Sequence, residues 1–163
     1  MLLDIHNVLI VKTDIFKDNR GYFVESFNKK KYPVNFVQDN FSSSKKNVLR
    51  GFHGDSGTWK LLSCIYGKVQ FAFINYNIKS KNFKKNINII LQEKDNLQIL
   101  VPPKFGTANL ILSNKAIIHY KQSTYHKQYK QFTINYKSKV LNFKWKSKKT
   151  IISKRDEAGI FLD

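Results

Sequence analysis

Apolar and aromatic side chains recur at every second position in short runs, and polar turn clusters separate those runs. Helical spacing of three and four is almost nowhere present, so strands are expected and helices are not. The pattern predicts strands at Val8–Lys12, Gly21–Phe27, Phe36–Gln38, Val48–His53, Lys60–Tyr66, Val69–Asn75, Ile87–Gln92, Leu97–Val101, Ala108–Leu112, Ala116–Gln122, Phe132–Asn135 and Val140–Trp145. Turn chemistry falls between them, at Lys17-Asp18-Asn19-Arg20-Gly21, Gly54-Asp55-Ser56-Gly57 and Ser113-Asn114. So many short strands in succession favour an all-β antiparallel sandwich or barrel. No repeat, linker or composition shift divides the chain, so residues 1–163 are expected to form one domain.

Composition narrows the function classes. Hydrophobic residues make up 42% of the 163, with seven glycines and three prolines, which excludes disordered and collagen-like chains. Cys64 has no second cysteine to pair with, which fits a reducing, cytoplasmic setting. The N-terminal stretch lacks a basic leader and a small-residue cleavage site, and no run of 18 apolar residues exists, so neither export nor a membrane is expected. The formal charge of +18 invites a nucleic-acid reading. Against it, the basic residues are nearly all lysines spread from Lys12 to Lys154, and the arginines are only Arg20, Arg50 and Arg155. Base and phosphate recognition favours arginine's planar fork, so a solvated lysine surface is the better reading and no nucleic-acid partner is expected.

Four residues carry chemistry without being persuasive singly. In Asn47-Val48-Leu49-Arg50-Gly51-Phe52-His53, alternation puts Leu49, Gly51 and His53 on one face. A lone histidine near a strand end is commonly a hydrogen-bonded structural residue. Two positions on, where a metal-binding barrel would place a second histidine, stands Asp55, so no metal is expected. Lys60 begins the strand face of Leu62, Cys64 and Tyr66, and a lysine there often snorkels to water. Tyr120 shares a face with Ile118, where tyrosines usually pack. Asp156, among charges near the C-terminus, reads alone as a solvated carboxylate.

Order and surroundings change that reading. The runs Asp18-Asn19-Arg20-Gly21-Tyr22-Phe23-Val24-Glu25-Ser26-Phe27, Phe36-Val37-Gln38-Asp39-Asn40 and Ser44-Lys45-Lys46-Asn47-Val48-Leu49-Arg50-Gly51-Phe52-His53 occur in succession. They are followed by Val101-Pro102-Pro103-Lys104-Phe105, Tyr120-Lys121 with Tyr125, and Ser153-Lys154-Arg155-Asp156. Over Val8 to Asp156 the chain resembles the dTDP-4-dehydrorhamnose 3,5-epimerase family. Those proteins are cupin-type jelly-roll barrels that invert carbons beside the ketone of nucleotide-diphosphate 4-keto-6-deoxy sugars, without a cofactor.

The resemblance implies His53 as general base, Asp156 as its carboxylate partner, Tyr120 as the acid on the opposite sugar face and Lys60 as the cation near the enolate. It implies Arg20 and Arg50 at the diphosphate, and Phe23, Glu25, Gln38 and Asn40 near the base and sugar, with Arg20 to Glu25 delivered by a partner subunit of a homodimer. Tyr125 is the competing proton donor. Arg50 stands at an odd offset from His53 and would face away from it, unless a bulge at Gly51 reorients the strand. Two positions depart from the family: Thr107 stands where histidine is usual, and Phe71 where aspartate is. Asn109, on the face of Thr107, is a replacement polar group. The departures lean toward another nucleotide sugar, such as a GDP-linked 4-keto-6-deoxyheptose of a capsule pathway, and leave C3 or C3/C5 inversion open. A cupin 3,4-ketoisomerase and a non-catalytic nucleotide-sugar binding protein are the alternatives.

Overall fold

The computed structural model describes residues 2–163. Its strands are β1 (Leu2–Ile5), β2 (Val8–Lys12), β3 (Ile15–Asp18), β4 (Gly21–Val24), β5 (Gln38–Lys45), β6 (Leu49–Gly54), β7 (Lys60–Tyr66), β8 (Lys68–Asn75), β9 (Asn86–Gln92), β10 (Leu97–Val101), β11 (Phe105–Ile111), β12 (Lys115–Gln122) and β13 (Phe132–Thr133). One short helix, α1 (Lys154–Glu157), follows. A six-stranded sheet in the order β1-β2-β10-β7-β12-β5 faces a five-stranded sheet in the order β13-β6-β11-β8-β9. The named ladders of both sheets are antiparallel, and the architecture is the expected cupin-type jelly roll.

Three apolar layers hold it together. Between the sheets lie Val8, Val69, Phe71, Phe73, Leu91, Ile99, Ile111 and Ile118, all buried. Phe27, Tyr32, Val34, Phe36 and Trp59 cover the outer face of the six-stranded sheet over Leu61 and Leu100. Val140, Leu141, Phe143 and Trp145 cover the outer face of the other, over Phe52, Ala72, Ile74 and Ile134. Strands buried on both faces therefore read as continuous apolar runs, as in Phe71-Ala72-Phe73-Ile74. Cys64 is part of the core, and burial pushes its thiol up to about 11, away from reactivity.

Several boundaries differ from the sequence reading for identifiable reasons. Val8–Lys12, Lys60–Tyr66 and Leu97–Val101 are strands as expected. Phe36–Gln38 is not one: Phe36 packs in the outer apolar layer, and the strand starts at Gln38 and runs to Lys45. Val140–Trp145 forms no ladder. Instead, two buried amides bind it edge-on: Gln70 donates to Lys144 O (3.0 Å) and accepts from Lys146 N (2.8 Å). Asn86 likewise donates to Val140 O (2.9 Å) and accepts from Asn142 N (3.0 Å). Gly21–Phe27 ends as a strand at Val24, and β3 pairs with it in a separate hairpin. That hairpin exposes Phe16, Tyr22 and Phe23 at 62, 64 and 67%. Among the described residues, no helix is long and apolar enough to cross a membrane.

Candidate active site

The site begins at an irregularity in β6. Its ladder with β11 pairs Thr107 with His53 but Asn109 with Arg50, so β6 carries one residue more than its partner. This is the bulge that the offset of Arg50 from His53 required, and it lets both side chains line one cavity. Gly51 sits in the bulge at φ +110°, and a Cβ there would lie 2.3 Å from Thr107 O. Only glycine fits such a position.

Asp156 locks the bulge and the imidazole together. Ser153 caps α1 by accepting from Asp156 N (3.2 Å), which fixes the aspartate on the first turn. Its Oδ2 accepts from Gly51 N (3.1 Å) and its Oδ1 lies 2.6 Å from His53 Nε2. The carboxylate is 3% exposed. Burial opposes its ionisation, yet the bonds from His53, Gly51 and Ser153 outweigh that and keep the pKa below the ordinary carboxylate range. An ionised carboxylate only accepts, so Nε2 carries a hydrogen, and in the neutral imidazole Nδ1 is the nitrogen with the free lone pair. The solvated-carboxylate reading of Asp156 is thereby replaced.

Lys60 reaches from the six-stranded sheet toward β6. Its Nζ donates to His53 O (3.0 Å) and Thr107 Oγ1 (3.3 Å), leaving a third N–H. Burial pulls its pKa down to about 8, against an opposing attraction from Asp55. It does not snorkel. Thr107 also donates to His53 O (3.1 Å), so its hydroxyl is committed to holding Lys60. Asp55, where a second histidine might have stood, caps a turn by accepting from Gly57 N and Thr58 N. No group of three or more potential metal ligands occurs among the described residues.

Tyr120 on β12 lines the same cavity of about 250 Å³ as His53 and Lys60. Because β12 belongs to the six-stranded sheet and β6 to the five-stranded one, the tyrosine and the histidine stand on opposite walls. Arg50 and Arg155 add positive charge at the same cavity, and neither forms an ion pair among the described residues. Arg50 is steered by Ser44, to which its Nε donates (3.1 Å), and Arg155 by Gln131 (2.9 Å). A cavity carrying such a cationic lining suits an anionic ligand.

The other expected residues divide into two groups. Thr107 and Asn109 line the cavity. Gln38 and Asn40 stand one step behind it, linked in a chain: Gln38 donates to Asn40 (3.0 Å), which donates to the lining residue Gln122 (3.2 Å). Arg20, Phe23, Glu25 and Tyr125 are not brought to the cavity of their own chain. Arg20 pairs with Asp18 at the hairpin tip, Glu25 with Lys31 (2.7 Å), and Tyr125 is 66% exposed on a turn. Phe71 is buried in the core beside Asn109 and does not line the cavity. Sequence reasoning missed Ser42, Gln122, His126, Gln131 and Arg155. Arg155, directly before Asp156, was the most findable of them, as one of the chain's few arginines.

Comparisons with known proteins identify the family. The family profile described as dTDP-4-dehydrorhamnose 3,5-epimerase matches residues 2–163. The chain is 34% identical over 170 residues to the dTDP-4-dehydrorhamnose 3,5-epimerase of Escherichia coli strain K12, covering 98% of this chain and 92% of that one. Among solved structures it is similar to the Elizabethkingia anophelis dTDP-4-dehydrorhamnose 3,5-epimerase (TM-score 0.90, 30% identity, 99% of this chain and 96% of that one). A Legionella pneumophila dTDP-6-deoxy-D-glucose-3,5-epimerase in complex with dTDP-4-keto-L-rhamnose superposes with a TM-score of 0.92 at 30% identity, covering 99% of this chain and 92% of that one. With the family profile matched over nearly the whole chain and a relative 34% identical along almost its full length, the chain belongs to the dTDP-4-dehydrorhamnose 3,5-epimerase family of enzymes.

Proposed function

We propose that this protein epimerises a nucleotide-diphosphate 4-keto-6-deoxy sugar at C3, through an enolate, in a homodimer. The observation that carries the reading is the His53–Asp156 pair on one wall of a cavity whose opposite wall holds Tyr120. A C–H beside a ketone is weakly acidic, so a base must meet the hydrogen while a positive group meets the carbonyl oxygen. His53 Nδ1 takes the C3 proton, and the C–H pair becomes the C3–C4 double bond as the carbonyl pair moves onto O4. The free N–H of Lys60 donates to that oxygen. Asp156 accepts from Nε2 and offsets the imidazolium charge. Tyr120 then gives its phenolic proton to the other face of C3 as the enolate collapses to the ketone, and configuration is inverted. Arg50 and Arg155 hold the diphosphate. A partner hairpin supplies Arg20, Phe23 and Glu25, and the exposed Phe16, Tyr22 and Phe23 are the surface that such exchange covers.

The names of its relatives make a dTDP-linked hexose the first substrate to try. A GDP-linked heptose is the second reading, supported by Thr107, which leaves the lining different from the family pattern. Incubation of each sugar with enzyme in deuterated water, followed by NMR, tests the proposal. Deuterium at C3 with inverted configuration is expected, and deuterium at C5 extends the reaction to the second centre. A displaced ketone identifies a 3,4-ketoisomerase, and absence of exchange with all sugars identifies a binding protein.

A further inference from the structure

Asn109 has hydrogen-bonding capacity that nothing in the fold uses. Its Oδ1 is enclosed with no hydrogen-bond partner among the described residues, although the residue lines the cavity. Buried polar atoms are rarely left so, and a partner is needed to explain one. The other such atom, Glu25 Oε1, lies 2.7 Å from the Lys31 ammonium and is accounted for. For Asn109 Oδ1 no hydrogen-bond partner exists among the described residues. Beside it in the ladder stands Phe71, which offers no polar group, and Thr107 two residues earlier is already committed to Lys60 and His53 O. A carboxamide both donates and accepts, and a half-turn about its last torsion exchanges its oxygen and nitrogen, so it can meet a hydroxyl from either side.

The ladder says which hydroxyl. Thr107 is opposite His53, and Asn109 is opposite Arg50. On the proposed reading, His53 acts at C3 and Arg50 holds the diphosphate attached at C1. Asn109 therefore lies on the C1 side of C3, and because C1 itself carries the diphosphate, the one free hydroxyl on that side is the one on C2. We infer that the Asn109 carboxamide hydrogen-bonds the C2 hydroxyl of the sugar and sets the enzyme's preference for substrates that carry it. This inference rests on the epimerase reading above and deepens it.

The test is a double comparison by titration calorimetry in a His53→Asn background, which keeps the sugar unreacted. Two 4-keto-6-deoxy nucleotide sugars, alike except for the C2 hydroxyl, are titrated into the protein with Asn109 intact, with Asn109→Leu and with Asn109→Ala. Loss of the hydroxyl should weaken binding roughly 3–10-fold with Asn109 in place and leave it nearly unchanged in the variants, as expected for one neutral hydrogen bond. Asn109→Ala adds no bulk and serves if the leucine is not accommodated. Equal affinity for both sugars with Asn109 intact, or discrimination that persists in both variants, overturns the inference. Deuterium exchange at C3 by the unmodified enzyme reports separately on the epimerase reading. If exchange proceeds while discrimination survives in the variants, only the C2 assignment falls; if exchange is absent, the reading beneath it falls.

Discussion

Replacing Asp156 by Asn keeps the shape of the side chain and removes its charge, and the site's geometry sets what should follow. The carboxylate now serves two donors at once, His53 Nε2 at 2.6 Å and Gly51 N at 3.1 Å. An amide has only one oxygen. If that oxygen stays on the buried Gly51 N–H, the NH2 group faces Nε2, and the imidazole must move its hydrogen to Nδ1. On the proposed reading, the nitrogen that meets the sugar then carries a proton and cannot remove one. If the amide turns the other way, Gly51 N–H meets an NH2 group and the bulge loses its anchor. Loss of a charge-assisted hydrogen bond alone is worth about 1.5–3 kcal/mol, or roughly 10–150-fold in rate. The tautomer change adds to it, so kcat should fall about 10²–10⁴-fold with KM little altered. Stopped-time NMR of C3 exchange measures the loss, and a thermal melt of the variant shows whether the fold survived. A folded variant within threefold of the native rate would refute the idea that Asp156 sets the tautomer of His53.

Three further outcomes are expected. Gly51→Ala forces a Cβ to within 2.3 Å of Thr107 O at φ +110°, which should cost about 3 kcal/mol or more and lower Tm by roughly 6–12 °C in calorimetry. Lys60, held near pKa 8 by burial, should give kcat/KM an alkaline limb near pH 8. Its folded pKa lies below the ordinary 10.5, so its charge burdens the folded state below pH 8 and the burden lifts as pH rises toward 10.5; a rate unchanged up to pH 10 would contradict the role given to its cation. Light scattering should find a dimer, and Phe23→Arg should give less active monomers; a fully active monomeric wild type removes the partner hairpin from the site.

Much of this was legible where a residue's surroundings were simple. Val8–Lys12, Lys60–Tyr66 and Leu97–Val101 alternate or stay apolar because each packs on a core, and their ends were correct to the residue. β5 was missed for the opposite reason. Its Gln38-Asp39-Asn40-Phe41-Ser42-Ser43-Ser44-Lys45 has a polar face because Ser42 looks into the cavity and Asn40 backs it, so no apolar alternation survives. Val140–Trp145 has strand-like alternation, but its backbone groups are taken by the side chains of Gln70 and Asn86, which no local pattern reveals. The His6-Asn7 turn, with φ of 54° and 77°, closes β1 on β2 without the glycine that usually marks such a hairpin. In the site, the bulge at Gly51 followed from the parity of Arg50 and His53. The closeness of His53 and Asp156, 103 positions apart, came only from the resemblance. Gln122, His126 and Gln131 are ordinary polar residues whose role comes from where the sheets place them.

The account depends on a base and an acid acting from opposite walls, and the stereochemistry of exchange in deuterated water tests that most directly. Wild type, His53→Asn, Tyr120→Phe and Tyr125→Phe are compared by NMR for deuterium at C3 and for configuration. His53→Asn should lose exchange and inversion together, by about 10²–10⁴-fold. Tyr120→Phe should still admit deuterium at C3 with configuration retained, because His53 can return the deuteron to the face it came from, while inversion becomes slow. Tyr125→Phe should behave as wild type. Inversion at full rate in Tyr120→Phe but not in Tyr125→Phe would move the acid to the other tyrosine, and full inversion in both would contradict the two-wall mechanism.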